Sequence, residues 1–72
     1  MHEPVRYAIR VRGLLGEGIL AAFPALSARA DRGHTVLTGS LADQAALHGV
    51  LGQIEALGLE LIEVRRVRQH AQ

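Results

Sequence analysis

The stretch Val5-Arg6-Tyr7-Ala8-Ile9-Arg10-Val11-Arg12 alternates without a fault. Val5, Tyr7, Ile9 and Val11 fall on one side, and Arg6, Ala8, Arg10 and Arg12 on the other. A period of two sends successive side chains to opposite faces of a strand, so this segment reads as a strand with one buried face and one arginine-rich face. Gly13 ends it. The next segment, Leu14 to Phe23, holds Gly16 and Gly18 followed by Ile19, Leu20, Ala21, Ala22 and Phe23, which predicts a helix of about two turns. Pro24 stops that helix, because its ring removes a donor and disfavours helical geometry at the residue before it.

Working outward, Leu26, Ala28 and Ala30 alternate with Ser27, Arg29 and Asp31 as a second strand of weak β propensity. Asp31-Arg32-Gly33 reads as a three-residue hairpin loop, with Gly33 able to take positive φ. His34 to Gly39 is the third strand. Ser40-Leu41-Ala42-Asp43 fits a capping box, with Ser40 as N-cap and Asp43 as the acid three residues on. The helix it opens runs to about Leu57, and Gly58 stands as its stop. Leu59 to Arg68 is the last strand, where the adjacent Leu61 and Ile62 break the alternation and predict a bulge or an apolar residue on the open face.

The predicted order is β-α-β-β-α-β. Two right-handed crossovers put both helices on one side of a four-stranded antiparallel sheet. The expected class is α+β, a ferredoxin-like two-layer sandwich with a short first helix and a long second one. One domain is expected over residues 1–72, with a core at about 5–68 and flexible termini at 1–4 and 69–72.

Composition narrows the function classes. All 8 basic residues are Arg, set against 7 acids, so the net charge of +1 marks neither a dedicated polyanion binder nor an acidic tail. The absence of Cys excludes disulfides, thiolate zinc sites and thiol catalysis. His2, His34, His48 and His70 share no ligand spacing, so no metal and no cofactor are expected. The acids form no catalytic pair and no Ser has a His and Asp companion, so the chain reads as a non-enzyme. No apolar run is long enough to span a bilayer, and Met1-His2-Glu3-Pro4 is no signal peptide, so no membrane partner and a cytoplasmic location are expected. A chain of 72 residues buries only about 60% of its unfolded surface, which makes a partner subunit the available source of extra stability.

Three surfaces are candidates for function. The first is the long helix. Leu47, Val50, Leu51, Ile54 and Leu57 make an apolar face, with Asp43 on the same side, while Ala45, Gly49, Gly52 and Ala56 cluster roughly opposite. Interior Gly costs a helix about 1 kcal/mol against Ala, so a stripe of the smallest residues suggests close approach of another subunit, with His48 at its rim. The second is the loop Gly13-Leu14-Leu15-Gly16-Glu17-Gly18, where Gly13, Gly16 and Gly18 with Arg12 as counter-charge would hold an anionic ligand. Its spacing matches neither the dinucleotide fingerprint nor the P-loop. The third is the open sheet face, where Arg6, Arg10 and Arg12 would be joined by Arg29 and one of Arg65, Arg66 or Arg68, partly neutralised by Glu60 and Glu63. Sheets that bind single-stranded RNA stack bases on aromatic residues, and this chain has one Tyr and one Phe, so nucleic acid is disfavoured.

The blocks YAIRVRG at residues 7–13 and LADQAALHG at 41–49, with a Leu-Gly-Leu step at 57–59, resemble a family of small, stand-alone, uncharacterised bacterial proteins. The resemblance covers most of the chain and implies no activity. Members often carry aromatic residues in the first helix, where this chain has Gly18, Ile19, Leu20, Ala21 and Ala22. A weaker, fold-level similarity is to ACT-type regulatory domains, which share the element order and a Gly at the start of the first helix, here Gly18. The resulting expectation is a non-enzymatic homo-oligomer, a dimer first, or an accessory subunit of another protein. The alternatives are a sensor of an anionic small molecule and, third, a nucleic-acid binder.

Overall fold

The computed structural model describes residues 4–67. Of the flexible ends expected at 1–4 and 69–72, all but Pro4 lie outside the described residues, as do His2, Arg68 and His70. The elements are β1 (Val5–Arg12), α1 (Glu17–Leu20), β2 (Ser27–Asp31), β3 (His34–Leu41), α2 (Gln44–Ala56) and β4 (Leu61–Val67). The protein is α+β, with two helices and a four-stranded antiparallel sheet in the order β2-β3-β1-β4. Strands consecutive across a helix are therefore never neighbours: β3 lies between β1 and β2, and β1 lies between β3 and β4.

The phase of β1 is the one its alternation implies. Tyr7, Ile9 and Val11 are buried, whereas Arg6 and Arg12 are exposed and Arg10 is half-buried. Ile9 pairs with Leu37, and both join Leu41, Leu47, Ile54 and Phe23 in one core. β1 and β3 occupy the middle of the sheet and supply most of the strand residues in that core, which is where the limited apolar surface of the helices is spent.

The first helix is shorter than expected, a single turn rather than about two. Two glycines and a proline within nine residues deny the segment helical propensity. It works instead as a folded strap. Leu15, Ile19, Leu20, Ala22 and Leu26 pack against the core, and Phe23 is buried within it. The amide of Leu26 donates to the carbonyl of Phe23 at 3.0 Å, closing a turn with Pro24 at its second position. That turn presses on Gly39 of β3, where a Cβ atom would stand 2.7 Å from the Ala25 carbonyl oxygen. Gly39 is thus a close-approach glycine.

Other boundaries move for identifiable reasons. Ser40 pairs with Arg6 and Leu41 with Val5, so β3 continues past Gly39 and Ser40 is a strand residue. The cap of α2 passes to Asp43, which is extended at φ −160° and accepts a hydrogen bond on Oδ1 from the Ala46 amide at 2.9 Å. Asp43 therefore caps α2 and does not belong to its apolar face. At the other end Gly58 has φ +75°, its amide donates to the Glu55 carbonyl, and the Leu59 amide donates to that of Ile54. This six-to-one closure ends the helix and returns Leu59 to the core. Leu57, placed on the core face by the helical period, is 45% exposed.

The β2–β3 connection is tighter than a three-residue loop. Asp31 pairs with His34, which leaves a two-residue turn of Arg32 and Gly33 with φ +57° and +80°. Positive φ at both positions is the type I′ pattern that matches strand twist. The expected bulge in β4 is present: Glu63 pairs with Arg10 and Leu61 with Val11, which leaves Ile62 as the extra residue.

Two expectations follow. Arg32→Gly removes a left-handed strain of about 1 kcal/mol and is expected to raise the melting temperature by about 4–8 °C in calorimetry. Gly39→Ala drives a methyl group into the Ala25 carbonyl and is expected to lower stability by about 1–3 kcal/mol in chemical denaturation.

Candidate functional site

The open side of the sheet carries the charged chemistry. The register sets Arg6, Ala8, Arg10 and Arg12 of β1 beside Thr38, Val36 and His34 of β3 and Val67, Arg65 and Glu63 of β4. Arg29 joins them through its pairing with Val36. Of the arginines open by sequence, Arg65 shares this face, while Arg66, opposite Tyr7, takes the helix side. Ala8 and Val36 are buried beneath the longer side chains and floor a shallow depression of about 220 Å³, walled by Arg6, Arg10, Arg29, Arg65 and Glu63. Stems of arginine laid over small apolar residues, with charged heads in water, are the physical cause of that burial. Tyr7 and Phe23 both lie in the core, so neither contributes an aromatic platform here.

Two of these arginines are committed within the chain. Arg12 holds Glu60 with Nε–Oε1 at 2.8 Å, on an exposed rim. Arg10 reaches across β3 to Asp31 on β2, with Nη2–Oδ2 at 2.7 Å, and its Nη1 donates to the Asp31 carbonyl and contacts Nδ1 of His34 at 3.2 Å. A guanidinium can only donate, so in that contact Nδ1 of His34 is the acceptor. This cluster ties three strands together at the turn end of the sheet. Its signal was in the sequence: a two-residue Arg-Gly turn forces Asp31 opposite His34, one row from Arg10.

The glycine loop is organised by Thr35, the polar side chain buried in the core layer. Its hydroxyl donates to the Gly13 carbonyl at 2.7 Å and accepts from the Leu15 amide at 3.1 Å, while the Gly13 amide donates to Gly33. Gly13 has φ +92° and needs to be glycine. Gly16 is an extended N-cap at φ −80° and Gly18 lies in α1, both with open space where a Cβ would stand. Arg12 points its charge at Glu60. The charge of Arg12 is thus engaged outside the loop, and a one-turn helix offers little dipole to an anion.

On α2, Leu47 and Ile54 are buried and Val50 and Leu51 half-buried. Ala45, His48, Gly49, Gly52 and Ala56 are all exposed, and nothing lies within 4 Å of a Cβ built on Gly49 or Gly52. Beyond the helix, Leu57, Leu61, Ile62 and Val64 are exposed at 45%, 42%, 38% and 36%, four large apolar side chains within one short stretch. Sequence periodicity missed this patch because it assigned Leu57 to the core and gave β4 a covered face. Among the described residues no three His, Asp or Glu side chains gather as metal ligands, and no helix is long and apolar enough to cross a membrane.

The hydrogen bond from the Arg10 guanidinium holds the Asp31 carboxyl below its ordinary value of 3.8 against the opposing effect of desolvation, and the charges of Arg10, Arg32 and Arg29 add to the lowering. A depressed carboxylate stabilises the fold above its unfolded value and ceases to do so as pH falls through its folded value. Asp31→Asn is therefore expected to melt lower than the parent at about pH 7, with the gap closing as the pH falls below the ordinary value of 3.8, followed by circular dichroism.

No curated protein and no solved structure matches the chain. A family model described as a domain of unknown function (DUF8691) matches residues 6–65, the span from the first arginine of β1 to the arginine of β4 that faces Ala8. The chain belongs to that family.

Proposed function

We propose that this protein is a non-enzymatic, cytoplasmic interaction module that works by associating with itself, or as the accessory subunit of another protein. The observation that carries the reading is the run of exposed apolar side chains at Leu57, Leu61, Ile62 and Val64 beside an edge strand. Contiguous apolar surface rimmed by charge is characteristic of protein contacts, and a chain of this size gains stability from burying it. The small-residue stripe of Ala45, Gly49, Gly52 and Ala56, with His48 beside it, is a second exposed surface on which a neighbouring backbone can come close. The architecture is read as ferredoxin-like. What supports this is the β-α-β-β-α-β order together with strands taken from the far edge as β4-β1-β3-β2, each β-α-β half split by one strand of the other.

A second reading, capture of a small anion, is favoured by the depression over Ala8. Arg6, Arg29 and Arg65 wall it, and among the described residues none of these three has a carboxylate within ion-pairing distance. Saturable thermal stabilisation by inorganic phosphate, lost in Arg6→Gln, would support this reading over the glycine loop as the anion site.

Sedimentation over a dilution series tests the main reading: an assembly that dissociates on dilution supports it, and a monomer throughout rejects self-association. Gly49→Gln with Gly52→Gln is expected to weaken that assembly. If the assembly is unchanged and melts higher by about 1 kcal/mol per glycine replaced, the stripe is removed from the contact.

A further inference from the structure

Resting on the self-association proposed above, we propose that β4 carries a contact of that assembly: two copies of the chain pair antiparallel along β4 about a two-fold axis at Val64, so that Glu63 of each meets Arg65 of the partner subunit.

The argument begins with backbone direction. The Gly13 amide donates to Gly33, toward β3, and the Arg12 amide donates to Glu60, toward β4. Amides alternate along a strand, so Arg6, Ala8 and Arg10 also turn toward β4, where they pair with Val67, Arg65 and Glu63. The backbone groups of Val64 and Arg66 then point away from β1. β4 ends the sheet, so among the described residues they face no other strand. An edge of this kind is a template for another strand.

Its sequence complements itself. Read antiparallel about Val64, Leu-Ile-Glu-Val-Arg-Arg-Val sets Val64 against Val64 of the partner subunit in a hydrogen-bonded pair, the pairing that its outward backbone groups permit. Glu63 and Arg65 of the partner subunit then fall in the adjacent non-hydrogen-bonded pair, the closer of the two kinds at about 4.5 Å between Cα atoms. Both residues lie on the open face, so the opposite charges meet twice about the axis. The bulge at Ile62 limits how far the pairing extends.

The other edge fits a second copy less well. β2 carries the small Ala28 and Ala30 at its outward positions, and its acid, Asp31, is held by Arg10.

The test is a charge exchange followed by sedimentation and circular dichroism. Glu63→Arg alone sets Arg against Arg, and Arg65→Glu alone sets Glu against Glu, so each is expected to weaken association by about tenfold or more. The double variant restores both pairs. An equimolar mixture of the two single variants is expected to form a heterodimer, which also reports that each remains folded. A parent dimer indifferent to both single changes, or weakened by them without recovery in the mixture or the double variant, overturns the β4 pairing and leaves self-association standing. A parent chain that is monomeric at every concentration overturns both.

Discussion

The helical layer of this protein is too small for its sheet, and the rest of the structure follows from that mismatch. One helix of 13 residues and one of four cover four strands of up to eight residues. The covering is spent on the middle: Ile9 and Val11 of β1 and Leu37 of β3 are almost wholly removed from water, while every residue of β4 from Leu61 to Arg66 is exposed. A stronger first helix would cover more, but Gly16, Gly18 and Pro24 prevent it, and the segment folds as a strap over Gly39 instead. Side chains that would be interior in a larger domain are surface here.

The open face shows how a sheet without a second layer manages charge. Arginine stems shield Ala8 and Val36, and two of the arginine charges, Arg10 and Arg12, are paired with Asp31 and Glu60. The buried end of this scheme is the link of Arg10 to Asp31, and its exposed end is the link of Arg12 to Glu60. Only the first joins strands that are not neighbours, and it has a partner in His34 as well. The pair on the rim is solvated, and pairs of that kind contribute about 0–1 kcal/mol.

The sheet was legible from the sequence because period-two alternation is a direct consequence of strand geometry, and β1 follows it from Val5 to Arg12 except at Ala8, which lies on the open face yet is buried. The bulge was legible for the same reason, as a fault in that period at Leu61-Ile62. Caps and turns were less so. Ser40 and Asp43 are both acceptable N-caps, and the choice between them was made by a distant event, the pairing of Ser40 with Arg6. Gly39 read as an ordinary strand residue, since its reason lies in a turn that ends 13 residues earlier in the chain. Exposure of the helix side of β4 was not readable either, because local pattern reports which side of a strand is apolar and says nothing about whether a helix is long enough to reach it.

The pairing of Arg6 with Val67 has a kinetic meaning. The β2–β3 hairpin closes through a two-residue turn, whereas β4 must find β1 across nearly the whole length of the polypeptide. Loop-closure entropy sets that step after the closing of the hairpin. When β4 lifts, it uncovers the edge of β1, a central strand whose residues include the most deeply buried in the protein. A strand laid along the outer side of β4 would hold it down, so that assembly and the closing of the fold would be one event.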